Sequence, residues 1–144
     1  MKKSTKIILS TIAIPIVLVA LCFIFIEITS ERIKTSFADK VIVESKYGAP
    51  PFSTEIEIGD ANELKEIFNG KRAGFDSPAC PCGEVSIIFE SENEELILYP
   101  AGDGCPTIGV GEYSNQMYFY LSENENNRVK EILIKYGATY PFGI

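Results

Sequence analysis

Val85-Ser86-Ile87-Ile88-Phe89-Glu90-Ser91-Glu92-Asn93-Glu94-Glu95-Leu96-Ile97-Leu98-Tyr99 is an apolar run, a polar turn and a second apolar run. Val85, Ile87 and Phe89 alternate with Ser86, Ile88 and Glu90, the period of a half-buried strand. Two such runs joined by a short polar turn read as a β-hairpin. Pairing Phe89 with Leu96 and Ile87 with Leu98 puts all four on one face, and paired residue numbers then sum to 185. A slip of one residue would carry one strand's apolar set to the wrong side, so burial specifies the register.

Outward from this hairpin the chain continues in the same style. Pro100 to Pro106 is a loop holding Gly102, Gly104 and Cys105, and Thr107–Val110 with Gln116–Leu121 reads as a second hairpin around Glu112-Tyr113-Ser114-Asn115. Ser122 with Glu125 forms a capping box. Val129, Ile132, Leu133 and Tyr136 follow at helical spacing, and Gly137 suits the position just past a helix end. The tail from Ala138 to Ile144 is apolar enough to lie against the core. On the other side, residues 71–84 form a loop rich in Gly, Pro and Cys. Asp60 is expected to start a short helix with Glu63 completing a capping box, Leu64, Ile67 and Phe68 on its apolar face, and Gly70 after its end. Lys40–Glu44 and Phe52–Ile58 read as strands separated by the Lys46–Pro51 turn. The order β-β-α-β-β-β-β-α gives an α+β fold, a small antiparallel sheet of about six strands with two helices packed on one face.

Ahead of this domain, residues 7–26 (IILSTIAIPIVLVALCFIFI) contain no charge, and 14 of the 20 are Ile, Leu, Val or Phe. A helix of 20 residues spans about 30 Å, the hydrocarbon thickness of a bilayer. Its 14 large apolar side chains favour insertion by roughly 4 to 8 kcal/mol. Lys2, Lys3 and Lys6 keep the amino end on the cytoplasmic side. The expected layout is a basic flank over 1–6, a transmembrane signal anchor over 7–26, a stalk over 27–40 and an extracytoplasmic domain over 41–144. The chain is thus expected at the plasma membrane as a single-pass protein. Cleavage after Ile28-Thr29-Ser30 or Ser36-Phe37-Ala38, or lipidation at Cys22, is a weaker alternative, because the apolar stretch exceeds a secretory signal's and the flanking residues fit poorly.

Charge and composition narrow the function. All 20 acidic residues but only 10 of the 13 basic ones lie from Glu27 onward, a net charge of −10 (10 minus 20) for the exported part. Such a surface repels phosphate backbones, so nucleic acid is not an expected partner, whereas another envelope protein or a cationic ligand is compatible. The chain has no His, which removes Ser-His and Cys-His catalysis. Nucleophile-elbow, phosphate-loop and Ser-x-x-Lys motifs are absent. No cofactor is expected. Asp103, between Gly102 and Gly104, fits a tight turn better than a calcium loop.

The cysteines are the remaining chemistry. Cys80, Cys82 and Cys105 lie on the exported side, where disulfides persist. Extending the hairpin register places Cys80 opposite Cys105, with Cys82 two residues away and also a possible partner. A bond from Cys80 to Cys105 closes a loop of 25 residues, worth roughly 3 kcal/mol on the chain-entropy model. The third thiol leaves room for thiol-disulfide exchange, or for a metal held by the three cysteines with Asp103. Tyr113, Tyr118, Tyr120 and Tyr140 form a candidate interaction surface.

From Phe75 to Tyr136 the chain resembles a group of small, often exported, uncharacterised hypothetical proteins of low-GC Gram-positive bacteria. The shared features are a Cys-containing loop before a Val-Ser-Ile strand (Val85-Ser86-Ile87), an Asp-x-Cys turn (Asp103-Gly104-Cys105), and an aromatic strand entering a Leu-Ser-capped helix (Leu121, Ser122) that ends Lys135-Tyr136-Gly137. Many of those proteins end in aromatic-Pro-Cys, whereas this chain ends Tyr140-Pro141-Phe142-Gly143-Ile144, without Cys. The group has no assigned activity, so the resemblance implies no catalytic residue. Three functions are consistent with these readings. The leading one is a membrane-anchored extracytoplasmic accessory module that binds a protein or envelope component. The others are a thiol-disulfide or metal-handling protein using Cys80, Cys82 and Cys105, and a carboxylate-dependent cell-wall hydrolase.

Overall fold

The computed structural model describes residues 14–25, 31–45, 51–75, 78–111 and 116–139. The chain divides into two compact units, Met1–Glu31 and Arg32–Ile144. In the first, residues 14–25 form helix α1, and its apolar side chains, Ile14 to Phe25, are exposed. Among the described residues no helix is long and apolar enough to cross a membrane. Residues 7–13 and 26 of the expected span lie outside the described residues.

The second unit is an α+β fold. Its main sheet has six antiparallel strands in the order β3-β2-β5-β6-β7-β8. These are β2 (Lys40–Ser45), β3 (Phe52–Glu55), β5 (Val85–Glu90), β6 (Glu95–Pro100), β7 (Thr107–Val110) and β8 (Met117–Tyr120). The β5–β6 register is Ile87 with Leu98 and Phe89 with Leu96, as the alternation requires. Two-residue strands β1 (Glu31–Arg32) and β4 (Arg72–Ala73) form a separate small sheet that sequence periodicity cannot signal. Helices α2 (Ile58–Phe68) and α3 (Glu123–Lys135) complete the unit.

The core lies between these helices and one sheet face. Leu64 and Phe68 from α2, and Val129, Ile132 and Leu133 from α3, join Val41, Val43, Ile87, Phe89 and Leu98 in one buried cluster. Phe68 meets Phe89 and Phe119 edge-on, both at 6.0 Å between ring centres, an arrangement favoured by the aromatic quadrupole. Helix α3 begins as expected, with both bonds of the Ser122–Glu125 capping box present, and Gly137 follows its end at φ +110°.

Helix α2 departs from expectation at its start. It begins at Ile58 behind Glu57, which makes no side-chain cap bond. Asp60 and Glu63 are drawn instead to α3. Asp60 accepts from Lys135 Nζ and from the Tyr136 hydroxyl, both at 2.7 Å, while Glu63 pairs with Arg128. Tertiary ion pairs to α3 thus outcompete the local cap. These partners hold Asp60 (Lys135, then Tyr136) and Glu63 (Arg128) below the ordinary carboxylate range.

The segment read as a stalk over 27–40 joins the globular unit by Ile33. Ile33, Thr35 and Ala38 are buried. Thr35 Oγ1 donates to the Lys65 carbonyl at 2.8 Å and Asn69 Oδ1 accepts from the Thr35 N–H. Lys65 Nζ donates to the Ala38 carbonyl at 2.7 Å. Thr35 thus adds a second donor to a last-turn carbonyl of α2 that already accepts from the Asn69 N–H, and with the Lys65–Ala38 bond it ties the stretch to the end of the helix.

Candidate functional site

Two features converge where the 78–84 loop meets the sheet. The Pro81 carbonyl accepts from the Gly102 N–H at 2.7 Å, and Cys82 forms an isolated antiparallel bridge with Ala101. This bridge pairs residues whose numbers sum to 183 rather than 185, so the register steps by two residues between Cys82 and β5. Continued in that frame, Cys80 falls level with Asp103, beside Cys105. Accordingly one Sγ each from Cys80 and Cys105 and a carboxylate oxygen of Asp103 lie within 4.8 Å of one another. Cys80, Cys82 and Cys105 are all free thiols.

Asp103 organises the turn. Its Oδ1 accepts from the Cys105 N–H at 3.0 Å and its Oδ2 from the Cys105 thiol at 3.2 Å. The backbone N–H of Cys105 is the main reason its carboxyl sits below the usual range. The Thr107 hydroxyl donates to Cys80 Sγ at 3.8 Å. Asn126, buried in α3, donates through Nδ2 to the Gly104 carbonyl at 3.1 Å and ties the turn to the helix. This anchor was legible in principle, since Asn126 sits three residues before Val129 on the same helix face.

The Cys105 and Cys82 thiols are held protonated. Hydrogen bonding to Cys80, then to Asp103, pushes Cys105 up to about 12. Burial, then the proximity of Cys80, pushes Cys82 up to about 11. Because the thiolate is the nucleophile, both are poor attacking groups at neutral pH. Two sulfurs and a carboxylate are chemically suited to a zinc-type ion, which takes four ligands. Cys82, expected as a further ligand, is not in the group.

Cys82 turns instead to a cleft of about 490 Å³ in the sheet face away from the helices. Ile88, Ile97 and Tyr99 contribute apolar surface, Glu44, Glu84 and Gln116 polar groups, and the Pro81–Glu84 loop part of the lining. The space exists because neighbouring side chains are small. Ser86 stands beside Glu44 in the β2–β5 ladder, and Gly109 stands between Tyr99 and Tyr118. A Cβ at Gly109 would come within 2.8 Å of the Gln116 amide, so only glycine lets that side chain lie across β7. Glu84 Oε2 is buried yet finds no hydrogen-bond partner among the described residues.

The tyrosines expected at an interaction surface separate. Tyr118 and Tyr120 share the open face, Tyr118 half-buried with its hydroxyl donating to Gln116 Oε1 at 3.0 Å, and Tyr120 52 % exposed. Tyr113 and Tyr140 lie outside the described residues. No protein-family model, no curated protein and no solved structure matches this chain.

Proposed function

We propose that this chain is a membrane-anchored, extracytoplasmic binding module. In this reading residues 7–26 anchor it in a single pass with its amino end cytoplasmic. The open face of the sheet receives a protein or envelope component. The observation that carries the binding half is the cleft: a concave site with an apolar lining and few polar groups, inside the 300 to 1,000 Å³ range usual for ligand sites, at about 490 Å³. The anchor is supported by the uncharged 20-residue run and by the exposed apolar side chains of α1. An epitope fused after Ile144 should be removed by protease added to intact cells, and the chain should sediment with membranes. A protected epitope, or a chain recovered in the soluble fraction, would overturn the reading.

A second reading concerns sulfur, and the closeness of the Cys80 and Cys105 thiols favours it. We propose that these two, rather than Cys82, form a structural disulfide after export. Two thiols would give up two protons and two electrons to an external disulfide, which becomes two thiols. The high position of Cys105 and Cys82 favours this staple over rapid exchange chemistry. Peptide mapping without reductant should return a Cys80–Cys105 cross-link with Cys82 free, and reduction should cost roughly 3 kcal/mol of stability. A Cys82–Cys105 cross-link, or three alkylatable thiols in protein taken from the cell surface, would refute the assignment.

A further inference from the structure

We infer that the open-face cleft is a site for a primary alkylammonium group, its head at Glu84 and its aliphatic stem along Ile88, Ile97 and Tyr99. This rests on the binding reading and names the ligand chemistry of the same cleft.

Glu84 lacks, among the described residues, a partner that a ligand could bring. Its buried Oε2 has no hydrogen-bond partner among the described residues. Leaving a buried acceptor unpaired costs about 1 to 3 kcal/mol, and more for a charged group. Native proteins keep few such atoms, and those they keep call for a reason. A donor brought by a ligand supplies one.

The charge of the lining suits a cation. Two carboxylates, Glu44 and Glu84, line the cleft, and among the described residues no Lys or Arg does. Four of the described cations are engaged with other carboxylates: Arg128 with Glu63 and Glu131, Lys135 with Glu57 and Asp60, Lys71 with Glu125, and Lys40 with Glu90. A cationic guest therefore meets no like charge in the lining.

The apolar part of the lining favours an ammonium over a bare metal ion. Calcium asks for six to eight oxygens, whereas much of this lining is Ile88, Ile97 and Tyr99. That surface suits methylene groups, and a tyrosine ring adds attraction for a nearby cation. An alkyl chain ending in an ammonium satisfies both halves of the site at once.

The test uses the full chain in detergent micelles, with the methyl signals of Ile88 and Ile97 and the ring signals of Tyr99 followed by NMR. The probes are Nα-acetyl-lysine methylamide, its uncharged isostere Nα-acetyl-norleucine methylamide, and cadaverine. The lysine derivative should shift these signals at a concentration at least about tenfold lower than the norleucine one needs, a gap of about 1.4 kcal/mol. Binding by cadaverine as well would indicate that the ammonium and stem suffice. Binding by the lysine derivative alone would indicate a side chain presented by a polypeptide. Both outcomes support the inference. Glu84→Gln should weaken lysine-probe binding about tenfold while melting like the parent chain. Equal binding of the lysine and norleucine probes would overturn the ammonium assignment and leave the cleft standing. No shift with any probe would remove the binding reading itself. The probe comparison is made on the unsubstituted chain, so it decides the matter even where Glu84→Gln folds poorly.

Discussion

Val41, Val43, Ile87, Phe89 and Leu98 are almost completely buried beneath α2 and α3, while Ile42, Ile88, Ile97 and Tyr99, alternating with them along the same strands, are only half-buried. The covered face is wholly apolar near its centre and knits both helices into one cluster. The open face mixes apolar side chains with Glu44, Ser86, Glu84 and Gln116 around a cleft. The first arrangement is what burial alone favours. The second keeps a carboxylate oxygen buried with no hydrogen-bond partner among the described residues, which lowers stability, and such departures from local consistency are expected where a protein functions. The contrast teaches that stability and recognition are divided between the two sides of one sheet.

The largest effect should come from the covered side. Phe68 is fully buried and touches two other rings, so Phe68→Ala should cost about 3 to 5 kcal/mol in chemical denaturation. A loss under about 1 kcal/mol would mean that the aromatic cluster does not hold the helices to the sheet. The sharpest comparison uses adjacent residues of β5. Ile87→Ala should cost about 3 kcal/mol, and Ile88→Ala about 1 kcal/mol or less. Equal losses would break the division between the faces.

Much of this division is readable from the sequence, for a physical reason. Alternation in Val85–Phe89 and Leu96–Leu98 admits one register that buries both strands, and that register is the one found. The Ser122–Glu125 box also survives folding, because Glu125 keeps Oε2 for the Ser122 cap while its Oε1 takes the distant Lys71. What escapes the sequence depends on distant partners. Asp60 and Glu63 resemble a cap in isolation, yet Lys135, Tyr136 and Arg128, far along the chain, claim their carboxylates. Residues 32–39 have no regular period, and their docking depends on the end of α2. Of the site, the hairpin register places Cys80 opposite Cys105, whereas the two-residue step at the Cys82–Ala101 bridge sets Cys80 level with Asp103, and the 102–105 turn brings Cys105 beside it. The cleft does not follow from the register, because it arises from the small Ser86 and Gly109 on neighbouring strands and from a loop without periodicity.

Two smaller effects sharpen the account. Asp60 titrates below its ordinary value in the folded chain because of Lys135 and Tyr136. Its contribution is therefore fully present above the unfolded carboxylate value near 4 and is lost as the pH falls through the lower folded value. Since Lys135 is half-exposed, Asp60→Asn should cost only about 1 kcal/mol at neutral pH. It should also flatten the acid limb of the stability curve below about pH 4, measured by urea denaturation across pH. An unchanged acid limb would show that the Asp60 contacts with Lys135 and Tyr136 contribute nothing. Smallest of all, Glu84→Gln should leave stability within about 0.5 kcal/mol of the parent, or raise it slightly, because the native carboxylate oxygen has no bond to lose. A loss above about 2 kcal/mol would mean that Glu84 supports the fold and is not held in reserve for a ligand.

The division of the sheet is tested most directly by photo-crosslinking in intact cells. A photoreactive amino acid is placed at Ile97, in the cleft, and separately at Ile134, which is 54 % exposed on α3. Discrete adducts should form from position 97 and not from position 134. Adducts from position 134 alone, or equally from both, would contradict the assignment of recognition to the open face.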